Sequence, residues 1–174
     1  MNRADPGTKV WVSVLGPLEA RSERGAISLT SGNQRRLLAS LLLARGRVVS
    51  LGHLANDVWG DDMPADPRAS VHTTVARLRR TLGSGAETLR ARSPGYQLDR
   101  SLVWRDDDEF VAQLSAAPHD SPDRLARLDA ALALWRGPAW GELADDLARA
   151  EATRLEEQRL QAWESRAESL LAQG

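Results

Sequence analysis

Five arginines lie close together in the chain: Arg77, Arg79, Arg80, Arg90 and Arg92. A guanidinium group stays positively charged and presents its N–H donors in a planar fork, which suits hydrogen bonding to paired oxygen atoms of an anion. No acidic residue occurs from Arg68 to Gly83. A surface helix usually mixes charges and gains about 0.2–0.5 kcal/mol from each i,i+4 ion pair, and this segment forgoes that gain. The uncompensated cations predict an anionic partner outside the protein.

The first three of these arginines are predicted to lie on an amphipathic helix, with Asp66 as its N-cap, Pro67 as its first residue and Gly83 as its stop. On a helical wheel the apolar stripe consists of Val71, Val75, Leu78 and Leu82. The opposite arc carries Ala69, Thr73, Ala76, Arg77 and Arg80, with His72 on one flank and Arg79 toward the core edge. Small residues beside arginines suit the major groove of DNA, where arginine can bind guanine O6 and N7 and threonine can touch a thymine methyl.

A β-hairpin is predicted directly after this helix. Residues 88–92 form the first strand, residues 93–95 the turn and residues 96–98 the return strand. Arg90 and Arg92 are two residues apart and therefore project from one side of the ribbon, where an arginine can enter a narrow minor groove. A solvated basic helix and an ordinary charged hairpin remain the alternatives for each motif taken alone. Together, the two motifs favour a winged helix-turn-helix.

The composition indicates a soluble globular protein without chemistry of its own. Of 174 residues, 42% are hydrophobic and 27% are charged, and there is no cysteine. The three histidines lack metal-ligand spacing, and no phosphate-binding loop or nucleophile elbow occurs, so we expect neither an enzyme nor a cofactor or metal site. The longest apolar run, residues 37–44 with Ser40 inside it, is too short to span a membrane, and we expect a cytoplasmic protein without a membrane partner.

The distribution of charge indicates two modules with different partners. Residues 1–100 carry a net charge of +6 and residues 101–174 a net charge of −7. We expect a disordered leader over 1–8, a winged helix-turn-helix domain over 9–100 and a helical domain over 106–174. The fold class is therefore α+β.

Hydrophobic periodicity places the remaining elements. Strands are predicted at 9–15, 18–21 and 26–29, forming an antiparallel sheet, and helices at 34–45 and 51–59. In the second domain, helices at 109–116, 121–136 and 143–172 resemble a tetratricopeptide-like array. Such arrays usually need about three repeats to bury a continuous core, so we expect this domain to be incomplete.

Six segments carry a resemblance to a known family; in chain order they are VSVLGPLEA, GNQRRLLASLLLARGRVVS, LANDVWGDDMPAD, SVHTTVARLRRTLG, LRARSPGYQL and ALALWRGPAW. In this order they resemble the SARP-type transcriptional activators of actinobacteria. The resemblance spans about residues 10–174. It implies an OmpR-like DNA-binding domain followed by the first part of a bacterial transcriptional activator domain.

The resemblance also implies roles for individual residues. Thr73 and Arg77 would face bases, and Arg92 would reach the minor groove. The residues implied to lie near phosphate are Thr74, Arg79, Arg80 and Trp59, although Trp59 could equally be a core anchor. His72, from the helical wheel, and Arg90, from the hairpin, complete the candidate DNA-binding set.

An acidic loop, Gly60 to Asp66, precedes the basic helix. Its acids either turn the chain and cap the helix or contact a protein, because phosphate would repel them. The resemblance implies that this loop contacts RNA polymerase holoenzyme, through Asp61, Asp62, Met63 and Asp66. It further implies two protomers bound head to tail on promoter direct repeats, activating an antibiotic biosynthesis cluster. The competing function is a helical protein-interaction scaffold that retains a degenerate DNA-binding domain.

Overall fold

The structure, a computed structural model, describes residues 9–118 and 121–172. The described residues divide into two compact units, the first formed by residues 9–12 and Glu19–Trp104 and the second by Ser13–Leu18 and residues 105–118 and 121–172. Residues 13–18, which the sequence assigned to the first domain, are therefore part of the second unit. The predicted leader over 1–8 lies outside the described residues.

The described chain contains seven strands and six α-helices. In order they are β1 (Val10–Ser13), β2 (Glu19–Ser22), β3 (Gly25–Ile27), α1 (Gly32–Leu43), β4 (Val49–Ser50), α2 (Leu51–Trp59), α3 (Pro67–Leu82), β5 (Leu89–Arg92), β6 (Gly95–Leu98), β7 (Val103–Arg105), α4 (Asp106–Ser115), α5 (Arg124–Ala133) and α6 (Arg149–Leu171). A 3-10 helix at Gly83–Thr88 joins α3 to β5. This order confirms the predicted α+β class, a winged-helix unit followed by a helical one.

The strands form two sheets. One sheet has the order β3-β2-β1-β7 and contains the three predicted strands together with β7, which was not predicted. In β1, Val10 and Val12 are buried and alternate with less buried residues, as a strand covered on one face requires. The other sheet has the order β4-β6-β5 and contains the predicted hairpin. The sequence treated β4 as an extended linker, and the structure pairs it with β6 through Val49 and Tyr96.

Helices α1, α2 and α3 pack against one another beside the hairpin sheet. The predicted apolar stripe of α1 is confirmed, because Leu37, Leu38, Leu41 and Leu42 are all buried. Ser50 is in the extended conformation and accepts a hydrogen bond from the His53 N–H at 3.2 Å, which caps α2. This packing leaves the outer face of α3 uncovered.

The second unit packs α5 against both α4 and α6. Phe110 and Trp135 meet edge to face with ring centroids 5.3 Å apart. The buried carboxylate of Asp106, in the first turn of α4, accepts hydrogen bonds from the Val14 and Leu15 N–H groups at 2.7 and 3.2 Å. Burial raises the pKa of Asp106 above its ordinary value in spite of these bonds. These contacts account for the place of residues 13–18 in this unit.

Two predicted helices of the second unit are longer than the observed ones. The helix predicted over 121–136 extends only over Arg124–Ala133, because the Arg136 N–H donates to Leu15 O at 2.7 Å instead of continuing the helix. The helix predicted from residue 143 begins at Arg149. A 3-10 helix at Gly141–Leu143 and turns occupy the preceding segment.

No helix of residues 9–118 or 121–172 is both long enough and apolar enough to cross a membrane. Within the same residues, the histidines and carboxylates form no cluster able to hold a metal ion.

Candidate nucleic-acid interface

Helix α3 has the boundaries and the buried stripe that the sequence predicted. Asp66 is extended and accepts a hydrogen bond from the Ala69 N–H at 3.0 Å, Pro67 is the first helical residue, and Gly83 ends the helix with φ +57°. The predicted stripe is buried: Val71, Val75, Leu78 and Leu82 are each at most 2% exposed. Burial of this stripe fixes which side of α3 faces outward.

The outward side of α3 carries cations without counter-ions. Arg68, Thr73, Arg77 and Arg80 are all exposed. Within the described parts of the chain, the Arg77 guanidinium forms no hydrogen bond or ion pair, and Arg80 only donates to the Ala76 carbonyl of its own helix at 3.5 Å. A cation with no protein partner keeps its full capacity to bind an external anion.

The hairpin carries two arginines in different situations. β5 and β6 pair in register from Leu89 with Leu98 to Arg92 with Gly95. Arg92, at the tip, is exposed and only donates to the neighbouring Ala91 carbonyl at 3.3 Å. The Arg90 Nη2 instead lies 2.6 Å from the Asp99 Oδ2, in an ion pair. The structure therefore distinguishes an unpaired tip arginine from a paired one.

The partner of Arg90 is held in its charged form. Burial alone would raise the pKa of the Asp99 carboxyl. Hydrogen bonds from the Ser101 hydroxyl and N–H, at 2.8 and 3.0 Å, together with the charges of Arg90 and Arg92, hold that pKa below its ordinary value instead. A carboxylate that stays ionised keeps Arg90 neutralised.

Two further predicted contact residues point into the unit. The Arg79 Nε and Nη2 both donate to the Leu89 carbonyl oxygen, at 3.2 and 2.7 Å. Thr74 is only 7% exposed, and its hydroxyl donates to the Ser70 carbonyl at 2.9 Å. The resemblance implied that both residues lie near phosphate, whereas in the structure the Thr74 hydroxyl and the Arg79 Nε and Nη2 donate to main-chain oxygens.

His72 links α3 to the hairpin. Its Nδ1 lies 2.7 Å from the Tyr96 hydroxyl, and the two rings meet edge to face with centroids 5.9 Å apart. Tyr96 is buried, and the Arg79 guanidinium lies over its ring at 5.7 Å from the centroid. His72 itself remains exposed.

The remaining candidates lie at the end of α2 and in the loop that leads to α3. Trp59, the last residue of α2, is half-buried. The acidic loop is exposed at Asp61, Asp62 and Met63, and the Met63 side chain is 43% exposed. Asp66 is exposed as well, although its carboxylate caps α3.

Sequence reasoning missed three residues of this region. Arg68 was treated only as the start of the acid-free stretch, although its place in the first turn of α3 could have identified it as exposed. Tyr96 was assigned to a strand without a role. Gly95 was treated as a turn residue, but it opens β6, and a Cβ there would lie 1.9 Å from the Val49 carbonyl oxygen. Only the register of β4 with β6 could have shown that approach.

Two family profiles match consecutive parts of the chain. The profile "Transcriptional regulatory protein, C terminal" matches residues 24–98, and "Bacterial transcriptional activator domain" matches residues 106–174. The first match contains all of α3 and the hairpin, and the second contains α4, α5 and α6.

Characterised proteins with similar sequences carry the same kind of name. Regulatory protein AfsR of Streptomyces griseus is 37% identical over 88% of this chain, which spans 16% of that protein. Transcriptional regulatory protein MoaR1 of Mycobacterium tuberculosis is 37% identical over 77% of this chain, which spans 46% of that protein. The solved structure of Mycobacterium tuberculosis EmbR in complex with a low-affinity phosphopeptide matches with a TM-score of 0.81 and 31% identity, over 94% of this chain and 46% of that one. The chain spans less than half of each of these relatives.

Proposed function

The chain belongs to the SARP-type family of transcriptional activators, and on that premise we propose that its first unit binds double-stranded DNA. Helix α3 enters the major groove, and the tip of the β5–β6 hairpin lies at the adjacent minor groove. The observation that carries the proposal is the outward face of α3, whose exposed arginines have no carboxylate partner among the described residues. Phosphate groups supply the missing negative charge.

The surroundings of each residue support a division of roles. Thr73 and Arg77 face bases, because both are exposed on the middle of the helix and have no competing partner. Arg68 and Arg80, toward the two ends of α3, contact the phosphate backbone. Arg92 at the hairpin tip reaches the minor groove, where narrow tracts concentrate negative potential.

His72 and Trp59 contribute donors to the DNA backbone. Both lie at the surface near the helix, one exposed and one half-buried, and each carries a ring N–H. Three predicted contacts are left out of the proposed interface because their polar groups are already used: Thr74, Arg79 and Arg90. Arg79 holds α3 against the hairpin, Asp99 neutralises Arg90 on β5, and the Thr74 hydroxyl bonds within α3.

The acidic loop meets a protein rather than DNA. Asp61 and Asp62 are exposed beside a helix that carries the opposite charge, so phosphate would repel this loop while a basic surface would attract it. We assign RNA polymerase holoenzyme as that partner, with Asp61, Asp62, Met63 and Asp66 as the contact. Two protomers bind promoter direct repeats head to tail in the cytoplasm, where they activate a biosynthetic gene cluster and perform no catalysis themselves.

A fluorescence-polarisation titration with duplex DNA at several salt concentrations tests the DNA-binding role. We expect the logarithm of the affinity to fall linearly with the logarithm of the salt concentration, with a slope of about −0.9 for each phosphate neutralised. Arg92→Ala should weaken binding, whereas Arg149→Ala, which removes an exposed arginine of α6, should not. Weak binding with no salt dependence would favour the protein-interaction scaffold instead.

A further inference from the structure

Tyr96 is placed to control which nitrogen of His72 carries the proton. We propose that the Tyr96 hydroxyl donates to the His72 Nδ1, so that the Nε2 keeps its hydrogen and presents it to a phosphate oxygen of the bound duplex. Tyr96 is then a positioning residue that acts through His72. This inference rests on the proposed DNA-binding function and assigns a role to a buried residue that does not itself reach the DNA.

The geometry of the pair supports this direction of donation. The distance of 2.7 Å between the His72 Nδ1 and the Tyr96 hydroxyl oxygen is that of a good hydrogen bond. In a neutral imidazole one nitrogen donates and the other accepts, so the bond to Nδ1 determines the state of Nε2. Within residues 9–118 and 121–172, the His72 Nε2 has no partner of its own, and the residue is exposed.

Arg79 favours the tyrosine as the donor. Its guanidinium lies 5.7 Å from the centroid of the Tyr96 ring and is fixed there by two hydrogen bonds to the Leu89 carbonyl. Donation by a phenol moves negative charge onto its oxygen, and a nearby cation stabilises that charge. The opposite arrangement would turn a nitrogen lone pair toward phosphate, which repels it.

The chain Arg79–Tyr96–His72 therefore joins the hairpin to the reading helix. Arg79 and His72 both lie on α3, and Tyr96 lies on β6 between them. An exposed imidazole on a helix would ordinarily sample several rotamers and both tautomers. Here one rotamer and one tautomer are selected before DNA arrives, which reduces the entropy lost on binding.

The test compares Tyr96→Phe in two backgrounds. Phenylalanine keeps the ring and its contact with Arg79 and removes only the hydroxyl. In the chain with His72, we expect Tyr96→Phe to weaken binding to a selected duplex roughly 3- to 10-fold at about pH 8. In a His72→Gln background the same change should have less than about a 2-fold effect, since a glutamine amide reaches a similar position with its N–H and has no tautomers.

The outcomes separate this inference from the proposed function. Nitrogen-15 NMR of the protein without DNA should show the Nε2–H tautomer of His72, and a mixture of tautomers in Tyr96→Phe. An equal loss of affinity in both backgrounds, no loss in either, or an Nδ1–H tautomer would overturn the role of Tyr96. If the unaltered chain binds no duplex, the DNA-binding function fails, and the NMR result then shows whether the tautomer is fixed all the same.

Discussion

Three arginines of the candidate interface have three different surroundings. The Arg77 guanidinium is exposed and has no hydrogen bond or ion pair with the described residues, the Arg79 guanidinium lies near a carbonyl oxygen and an aromatic ring, and the Arg90 guanidinium is paired with a carboxylate. An arginine can therefore be available to an external anion, hold a helix against a strand or be neutralised, and its neighbours decide which of these it does. The arginines of the interface that we propose all lack a carboxylate partner among the described residues.

The helical wheel could predict part of the proposed interface. Residues 73, 77 and 80 were expected on the outer arc and residue 72 on its flank, and all four are exposed, because exposure on a helix follows from spacing. The situations of Arg79 and Arg90 could not be predicted in this way. The Leu89 carbonyl reaches Arg79 only when the hairpin has packed against α3, and the Asp99 carboxylate reaches Arg90 only when β5 has paired with β6.

Arg77→Ala and Arg80→Ala should affect DNA binding in different ways. We expect Arg77→Ala to cost about 1–3 kcal/mol of binding free energy on a preferred duplex and to reduce the preference over a scrambled one, because a base edge loses its partner. Arg80→Ala should weaken both duplexes about equally, because phosphate carries no sequence information. Titrations of each variant with both duplexes measure the difference, and equal losses from Arg77→Ala on the two duplexes would refute base reading.

At the scale of elements, start and stop signals in the sequence predicted the boundaries of α3, but no local signal predicted the short strands β4 and β7. Asp66, Pro67 and Gly83 form a complete set of start and stop signals within the helix sequence, and the observed helix obeys them. Strands β4 and β7 are only two and three residues long, and no sequence periodicity can be read over so few positions. Both exist because partner strands distant in the chain pair with them.

Gly95→Ala should disrupt the hairpin sheet, since the added Cβ would lie 1.9 Å from the Val49 carbonyl oxygen and 2.9 Å from Ser50 main-chain atoms. Main-chain atoms cannot rotate away as a side chain can. We expect a loss of about 2–4 kcal/mol in the free energy of unfolding, measured by urea denaturation of the whole chain.

Gly52→Ala is the matched control for that substitution. Gly52 lies within α2, and a Cβ there meets nothing within 4 Å. Alanine should leave the stability unchanged or raise it by up to about 1 kcal/mol, because it favours the helix. If Gly95→Ala proved as harmless as Gly52→Ala, the close pairing of β4 with β6 would be wrong.

At the scale of the whole molecule, the two halves of the sequence carry opposite net charges. The half that carries the candidate interface has a net charge of +6, and the other half a net charge of −7. This asymmetry was visible in the composition, and the division into two units agrees with it except at residues 13–18. The exception depends on the Asp106 carboxylate, which accepts hydrogen bonds from two N–H groups 92 and 91 positions earlier in the chain.

Replacing Asp61 and Asp62 together with alanine should separate DNA binding from activation. Both side chains are exposed outside the proposed DNA contacts, so we expect the affinity for duplex DNA to change less than about 2-fold. Transcription in vitro from a bound promoter should fall several-fold, because the loop loses its charge for the polymerase.

The control for this double variant replaces Asp145 and Asp146, an adjacent exposed pair in the second unit. It removes the same charge and should leave transcription unchanged. A parallel fall of DNA affinity and transcription in the Asp61 and Asp62 variant would contradict the assignment of the loop to a protein partner.

Methylation interference on a duplex selected from a random library tests the central claim most directly, because it reports both grooves in one experiment. We expect interference at a guanine N7 in the major groove, lost in Arg77→Ala, and at adenine N3 positions in the adjacent minor groove, lost in Arg92→Ala. Binding that tolerates methylation at every position in both grooves would contradict the placement of α3 and the hairpin on DNA.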